Sequence, residues 1–185
     1  GMTLSYWGFH AERQQYWVCV EINDGSYGGR ATKDGLDTVD TLLTNTRNVP
    51  IEEVEMRYPV RVERYQMRDE PPGAGRWRGG IGATREVRFL VDGFISASGD
   101  RNLEAPLGIF GGRDGSPSKL TKNSGQADEE AWPSNATGLR LKAGDSLRYE
   151  GGIGGGYGDP MERDPYAVLN DWLDDHITTE IAAHT

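Results

Sequence analysis

Apolar and polar side chains alternate along residues 58–67, which is the pattern of a β-strand with one buried face. The apolar positions are Tyr58, Val60, Val62, Tyr65 and Met67. The first three residues have even numbers and the last two have odd numbers, so the apolar side chains change from one face of the strand to the other partway along the segment. Because side chains in a strand repeat every two residues, one inserted residue explains the change. We therefore predict a β-bulge at residues 63–64.

The same alternation flanks two short turn-like segments, Asp92-Gly93 and residues 142–145. The alternating segments are residues 87–91, 94–98, 139–141 and 147–149. Asp-Gly between two such segments is typical of a type I′ turn, in which the glycine takes a positive φ. The sequence therefore predicts a tight antiparallel hairpin with Val91 and Phe94 on either side of the turn. A second hairpin with a longer loop is predicted around residues 142–145.

Two helices are predicted from their end signals. Pro50 and the acidic residues after it suit the first turn of a short internal helix, which must end before Pro59. Asp164 and Pro165 supply an N-cap and a proline at the first helical position, so a C-terminal helix begins at about residue 164. The positions at helical spacing on one face of that helix are Val168, Leu169, Trp172, Leu173 and His176.

Residues 16–22 form a nearly continuous apolar run, which predicts a strand that is covered on both faces. A turn-rich stretch, beginning with Asn23-Asp24-Gly25, ends this strand. Together these segments predict a mainly β fold, an antiparallel β-sandwich or open barrel with a short internal helix and a C-terminal helix. The 185 residues fit a single domain that spans residues 1–185.

Composition narrows the possible functions. Asp and Glu number 29 against 20 Lys and Arg, and the net charge of −9 argues against a nucleic-acid or anionic membrane surface. No apolar run is long enough to span a bilayer, and the single cysteine, Cys19, cannot form an internal disulfide, so a reducing cytoplasm is expected. Five tryptophans and eight tyrosines in a polar chain predict an aromatic surface that is buried by self-association.

Two loops are candidates for contact with an anion or a partner protein. Glycine dominates residues 151–158, where the backbone can approach other groups closely, and residues 76–80 place two arginines beside a tryptophan. The candidate residues are Arg76, Trp77, Arg78, Gly154, Gly155, Gly156, Tyr157 and Asp159. The alternatives are backbone-to-backbone packing at the glycines, and Trp77 filling a core gap while the arginines pair with acids.

No catalytic residue can be assigned from the sequence. Three histidines and one cysteine, none at metal-binding spacing, predict that this chain binds no divalent metal. His10 and His184 lie near the termini, where fraying is expected, whereas His176 suits the C-terminus of a helix. Asp100, which precedes Arg101, is assigned to structural ion pairing rather than to catalysis.

Several motifs resemble the hydantoinase B family. The C-terminal signature is GGGYGDP at residues 154–160, followed by ERDP at residues 162–165. Four other stretches match in the same order, namely TNTRNVPIE at residues 44–52, YPVRVERY at residues 58–65, GAGRWRGG at residues 73–80 and SGDR at residues 98–101. Residues 21–29, a glutamate followed by several glycines, are a weaker match. The resemblance extends over roughly residues 17–172 and matches only the C-terminal part of family members.

The family comprises B-type subunits of N-methylhydantoinase and acetophenone carboxylase, the acetone carboxylase α-subunit and the matching part of 5-oxoprolinase. The resemblance implies the C-terminal structural module of an ATP-dependent cyclic-amide hydrolase or ketone carboxylase. It also implies a hydantoinase A-like partner subunit, a missing N-terminal part, and ATP and a divalent metal in the complete enzyme. The family's metal ligands lie in the N-terminal part, so none is carried over to this chain.

The chain alone is expected to be inactive, because it has no lysine motif for a nucleotide phosphate and no metal-ligand spacing. A free-standing β-sandwich that binds another molecule is the alternative function. The resemblance leaves a hydantoin, a lactam and a ketone as alternative substrates of the complete enzyme.

Overall fold

The structure, a computed structural model, describes residues 1–23, 25–39 and 46–183. Within those ranges the strands are β1 (Met2–His10), β2 (Gln15–Asn23), β3 (Val60–Met67), β4 (Ala83–Phe89), β5 (Gly93–Gly99), β6 (Lys119–Lys122), β7 (Glu130–Trp132), β8 (Asn135–Leu141) and β9 (Ser146–Glu150). The helices are α1 (Ile51–Arg57), α2 (Pro165–Leu173) and α3 (Thr179–Ala182), with one 3-10 turn at Pro160–Glu162. Asp24 of the predicted turn, Thr44 and Asn45 of the predicted motif, and His184 lie outside the described residues.

The described strands pair into two antiparallel sheets. One sheet has the order β2-β1-β5-β8 and the other has the order β3-β4-β9-β6-β7. The core lies between them, where Tyr6 of β1 and Phe89 of β4 meet edge to face with their ring centroids 5.5 Å apart. Other fully buried side chains of this core are Ile95, Leu141, Leu147 and Tyr149. The predicted mainly β, sandwich-like fold is therefore confirmed, and the described strands do not close into a barrel.

The predicted bulge in β3 is present. The pairing of β3 with β4 shifts register between Val62 and Arg64, so that Val62 is opposite Val87 and Tyr65 is opposite Arg85. The shift brings the side chain of Tyr65 to the same side of the sheet as Arg85. The Arg85 guanidinium lies 5.1 Å from the centre of the Tyr65 ring, a distance at which a cation and an aromatic ring attract.

Neither predicted hairpin forms. The strands before and after residues 92–93, β4 and β5, belong to different sheets, and so do β8 and β9 on either side of residues 142–145. Both connections are corners that carry the chain from one sheet to the other. The corners lie side by side, since the Phe89 N–H donates to the Asp145 carbonyl at 2.9 Å and the Gly144 N–H donates to the Phe89 carbonyl at 2.8 Å.

Gly93 is required for a different reason from the one predicted. It does not have the positive φ of a type I′ turn. Instead, a Cβ at Gly93 would lie 3.0 Å from the Trp7 carbonyl oxygen and 3.2 Å from the Trp17 ring. The neighbouring Asp92 joins the two corners, because its carboxylate accepts a hydrogen bond from the Ala143 N–H at 3.0 Å.

The strand β2 is not covered on both faces, contrary to the prediction. Trp17 and Cys19 point into the core, but the alternate positions Tyr16, Val18 and Val20 are 81%, 60% and 59% exposed. Among the described strands, β2 pairs with β1 alone and forms an edge of the four-stranded sheet. A run of apolar residues cannot by itself show whether a second layer covers its outer face.

Both predicted helices are present, but the second packs differently from the prediction. The helix α2 begins at Pro165, and the Asp164 side chain caps its N-terminus. It ends at Leu173, so His176 lies beyond the helix rather than on its apolar face. The buried residue of α2 is Asp171, while most of the apolar face is exposed. Of the helices in the described ranges, none is long and apolar enough to cross a membrane.

His10 is part of the sheet rather than a frayed end. It is the last residue of β1 and pairs with Gln15 of β2 across the connecting turn. Its Nδ1 accepts a hydrogen bond from the Arg13 N–H at 3.4 Å. The hairpin of β1 and β2, which the sequence analysis did not predict, therefore orders the first residues of the chain.

Candidate functional site

The glycine-rich segment 151–158 lies at the centre of a group of extended segments, which we call the glycine bundle. The surrounding segments are residues 25–29, residues 73–80 and residues 108–116. Three of the four segments contain motifs that resemble the family. The motifs are therefore brought together in space, although they are far apart in the sequence.

The main chain of the central segment is hydrogen-bonded on several sides. The bonds run from the N–H of Gly29 to the carbonyl of Gly155 (2.8 Å), from Gly154 to Gly80 (2.9 Å) and from Gly156 to Arg113 (2.8 Å). The Ser26 hydroxyl adds two bonds, since it donates to the Gly152 carbonyl and accepts from the Gly154 N–H, both at 2.9 Å. A strand in a sheet forms main-chain hydrogen bonds only to neighbours in the plane of the sheet. A glycine segment has no side chains to keep other segments away, so it can form such bonds on several sides.

No Cβ fits at the centre of the glycine bundle. A Cβ would lie 2.7 Å from the Tyr27 carbonyl carbon if built on Gly154, 2.7 Å from the Gly108 nitrogen if built on Gly155, and 2.9 Å from the Gly73 oxygen if built on Gly156. These neighbours are main-chain atoms, which cannot rotate away as a side chain can. The three candidate glycines therefore pack backbone against backbone, and their contact with an anion or a partner stays a prediction.

Two arginines connect the glycine bundle to α2. The side chains of Arg163 and Arg78 are 3% and 10% exposed, and both bind Asp171 of α2, at 2.7 Å and 2.9 Å respectively. Arg163 also binds Asp34 at 2.8 Å. Arg78 binds Asp37 at 2.9 Å. These five residues form one cluster of buried and half-buried ion pairs, which we call the arginine cluster.

The arginine cluster favours the ionised forms of Asp34, Arg78 and Arg163. Burial alone would raise the pKa of the Asp34 carboxyl, but Arg163 and Arg78 hold that pKa below its ordinary value. Burial would lower the pKa of both guanidinium groups, and their carboxylate partners raise it above the usual arginine value. Arg78, a candidate for anion contact, is thus already bound to two carboxylates of the chain.

The other candidates lie at the edge of the glycine bundle. Arg76 is largely exposed and lies 3.6 Å from Glu162. Trp77 and Tyr157 exchange two main-chain hydrogen bonds, of 3.0 Å and 2.9 Å. The Asp159 carboxylate caps the 3-10 turn by accepting a main-chain N–H at 2.9 Å. Arg76 and Asp159 are therefore the candidates that offer charged groups to the surface.

The carboxylates singled out in the sequence have structural partners. Asp100 is mostly exposed and pairs with the N-terminal amine at 3.6 Å. Glu21 pairs with Arg85 between the sheets and accepts a hydrogen bond from the Tyr6 hydroxyl at 3.1 Å. In the part of the chain that the structure describes, no group of three or more His, Cys, Asp or Glu side chains could hold a metal ion. That the chain binds no metal stays a prediction.

Arg68 attaches the glycine bundle to β6. Its guanidinium donates to the carbonyls of Gly151 at 2.7 Å and Pro117 at 2.9 Å. It also pairs with Glu70 at 2.7 Å, and Glu70 binds Lys119 of β6 at 2.8 Å. Partial burial would raise the pKa of Glu70, but the hydrogen bonds from Lys119 and Arg68 outweigh it and bring that pKa to about 2.

The lowered pKa of Glu70 predicts a loss of stability in acid. Its ordinary value is 4.5, so its contribution to stability is complete above about pH 4.5 and is lost as the pH falls towards about 2. The variant Glu70→Gln is expected to show a weaker pH dependence of the unfolding free energy between about pH 2 and about pH 4.5. Denaturant titrations of both proteins across the window measure this. Parallel curves would show that Glu70 does not carry the effect.

The sequence analysis did not identify the arginine cluster. Arg163 lies within a family signature and Arg78 is a candidate residue, but their respective partners Asp34 and Asp37 were not singled out. Asp171 was not recognised as the buried residue of α2. The available signal was an acid three residues after Val168, which places it on the same side of a helix.

Comparison with known proteins tests the resemblance that the motifs indicate. The family model described as Hydantoinase B/oxoprolinase matches residues 2–160. A protein of Pseudomonas sp. (strain NS671), described as a putative B-type subunit of a D-/L-hydantoinase, is 47% identical over 170 residues, which are 91% of this chain and 29% of that protein. The chain therefore spans less than a third of the length of this relative.

Two solved structures share the fold. A structure of ATP-dependent caprolactamase from Pseudomonas jessenii superposes with a TM-score of 0.78 at 22% identity, over 97% of this chain and 32% of that one. A nucleotide-free structure of acetone carboxylase superposes with a TM-score of 0.70 at 16% identity, over 100% of this chain and 29% of that one. Since the family model matches most of the chain, the resemblance expected from the motifs is confirmed, and the chain belongs to the hydantoinase B/oxoprolinase family.

Proposed function

We propose that this chain acts as the C-terminal structural module of a hydantoinase B-type subunit in an ATP-dependent enzyme. Such an enzyme would hydrolyse a cyclic amide or carboxylate a ketone. The names of the relatives support the proposal, because they include a hydantoinase subunit, an ATP-dependent caprolactamase and an acetone carboxylase. In each of them the matched region is about a third of the chain or less.

The observation that carries the proposal is that the signature residues pack against, and bind to, other residues of this same chain. The three consecutive signature glycines at residues 154–156 leave no room for a Cβ, and the signature arginines Arg78 and Arg163 are bound to carboxylates of the same chain. Residues used in this way supply rigidity and shape rather than reacting groups. The module would thus hold its neighbours in position, while the remaining part of the subunit and a hydantoinase A-like partner would supply the sites for ATP and a divalent metal.

The chain alone is expected to hydrolyse no ATP and to open no hydantoin or lactam. It has no lysine motif for a nucleotide phosphate, and folding cannot supply one. A chimera in which this chain replaces the matched region of the Pseudomonas relative is expected to regain ATP-dependent turnover with the A-type subunit. The measurement is phosphate release and ring opening by the chain, the chimera and a mock-purified control.

Two outcomes would contradict the proposal. Turnover by the chain alone above the mock-purified control would mean that residues assigned here to structure are catalytic. A well-folded chimera without turnover would mean that the module does not serve this enzyme, and a free-standing binding module would then be the better account. Folding of the chimera is checked by its melting temperature against that of the unmodified relative.

A further inference from the structure

We propose that the outer surface of the four-stranded sheet is the docking surface for the remainder of a hydantoinase B-type chain. We call this surface the outer aromatic face. It consists of Trp7, Phe9, Tyr16, Val18, Val20 and Phe94. This inference rests on the proposed function and adds to it the surface through which the module is held.

The residues of the outer aromatic face are neighbours across three strands. In the sheet register, Trp7 of β1 is opposite Val18 of β2 on one side and Phe94 of β5 on the other. The rings of Trp7 and Phe94 stack with centroids 6.0 Å apart, and those of Phe9 and Tyr16 lie 5.0 Å apart. Aromatic side chains that already contact one another lose little conformational freedom on binding, as is typical of interface residues.

The outer face of the five-stranded sheet has the opposite character. Its outward positions are charged, with Arg88 bonded to Glu63 and with Arg61 and Arg64 exposed on β3. Such a surface suits water and needs no cover. One side of the sandwich is therefore charged, and the other carries the outer aromatic face beside the polar positions Ser5 and Ser96. This difference suits a module that faces solvent on one side and protein on the other.

Along residues 16–20 the edge strand β2 has little of the usual protection against association, and the inward charged residue Glu21 lies beyond them. Edge strands of monomeric proteins carry charged residues, proline or bulges that prevent other chains from pairing with them. The outward positions of β2 are Tyr16, Val18, Val20 and Ile22, and its pairing with β1 runs through all nine residues without a register shift. A regular apolar strand of this kind is expected to be covered in the assembled protein.

The length of the relatives identifies the occupant. More than two thirds of the Pseudomonas relative lies outside the region that matches this chain. A covalently attached partner has an effective concentration on the order of millimolar, which is far above that of a second free copy. The rest of the same type of chain is thus the occupant that the comparisons favour, and a second copy is an outcome that the experiment distinguishes.

The test is the reactivity of cysteines placed on the two outer faces. Val18→Cys and, as a second reporter, Val20→Cys lie on the outer aromatic face, and Arg61→Cys lies on the charged face as the matched control. The native Cys19 gives little background, since burial, with a contribution from Glu21, raises the pKa of its thiol to about 12. Each variant is labelled with a maleimide as the chain alone and within the chimera with the Pseudomonas relative.

The expected result is rapid labelling of all three cysteines in the chain alone, when it is dilute. In the chimera, labelling of both reporters on the outer aromatic face should be at least about tenfold slower while the control is unchanged, as protection by burial requires. Equal labelling of both reporters in the chimera would overturn the inference, and if that chimera is active the proposed function still stands. Slow labelling in the chain alone that becomes rapid on dilution, together with labelling in the chimera that also becomes rapid on dilution, would identify a second copy as the occupant and also overturn it.

Discussion

Replacing Gly154 by alanine is expected to destabilise the chain by more than about 3 kcal/mol, since overpacking of a close-packed interior costs this much when the surroundings cannot relax. The new Cβ would lie 2.7 Å from the Tyr27 carbonyl carbon and 3.0 Å from the Gly28 nitrogen. Relief would require one extended segment of the glycine bundle to move away from another, which would break hydrogen bonds on several sides. A domain at the lower end of the typical range of stability, about 5 kcal/mol, would be close to unfolding.

Gly152→Ala is the matched control, because Gly152 belongs to the same segment and does not have a positive φ. A Cβ there would lie 3.7 Å from the Ser116 oxygen, an ordinary contact. This variant is expected to melt within a few degrees of the parent, or slightly above it, because alanine restricts the unfolded chain. Comparable losses of melting temperature in the two variants would show that close packing around Gly154 is not the cause.

Local features of this fold could be predicted from the sequence because they depend on residues close together in the chain. The bulge in β3 follows from a change in the phase of apolar residues, and α1 follows from the positions of Pro50 and Pro59. The start of α2 follows from Asp164 and Pro165 in the same way. Each of these signals lies within a few residues of the element it predicts.

The two corners show what local patterns cannot reveal. Alternation on either side of residues 92–93 indicates two strands but does not indicate whether they pair with each other or belong to different sheets. The decisive interactions are distant, since β4 pairs with β9 and β5 pairs with β1. A short loop with Asp-Gly suits a corner as well as a hairpin when Gly93 allows β5 to pass close to Trp17.

The candidate site was predicted only in part for a similar reason. Glycine density marked the central segment of the glycine bundle, and Arg78 was recognised beside Trp77. The acids that bind Arg78 are Asp37 and Asp171, which are 41 and 93 residues away in the sequence. In a chain with 29 acidic residues, no local pattern distinguishes these two from the others.

The strand β2 is apolar on both faces, although one of these faces is exposed in this chain. The sequence indicated a strand covered on both faces, and within this chain Tyr16, Val18 and Val20 are exposed. The apolar pattern and the exposed face agree if a partner covers the strand in the assembled protein. In that case the pattern describes the environment of the strand in the complex rather than in the isolated chain.

Replacing Asp171 by alanine is expected to cost about 3 kcal/mol, because it leaves two buried guanidinium groups without one of their carboxylate partners. Asp171 is the buried residue of α2, so the loss should also release this helix from the glycine bundle. Arg163 and Arg78 keep Asp34 and Asp37 as partners, which places the expected cost at the lower end for a broken buried ion pair. Denaturant titration measures the loss, and hydrogen exchange of the α2 amides locates it.

Asp174→Ala is the control, since Asp174 is an exposed aspartate at the end of the same helix and should change stability by no more than about 0.5 kcal/mol. A double-mutant cycle then separates the ion pair from the two side chains. Arg163→Met combined with Asp171→Ala should cost less than the two single changes together, by about 0.5–3 kcal/mol, because contacting residues are coupled. Strict additivity would mean that Arg163 and Asp171 stabilise the fold independently, and the ion pair between them would then not be what holds α2 to the sandwich.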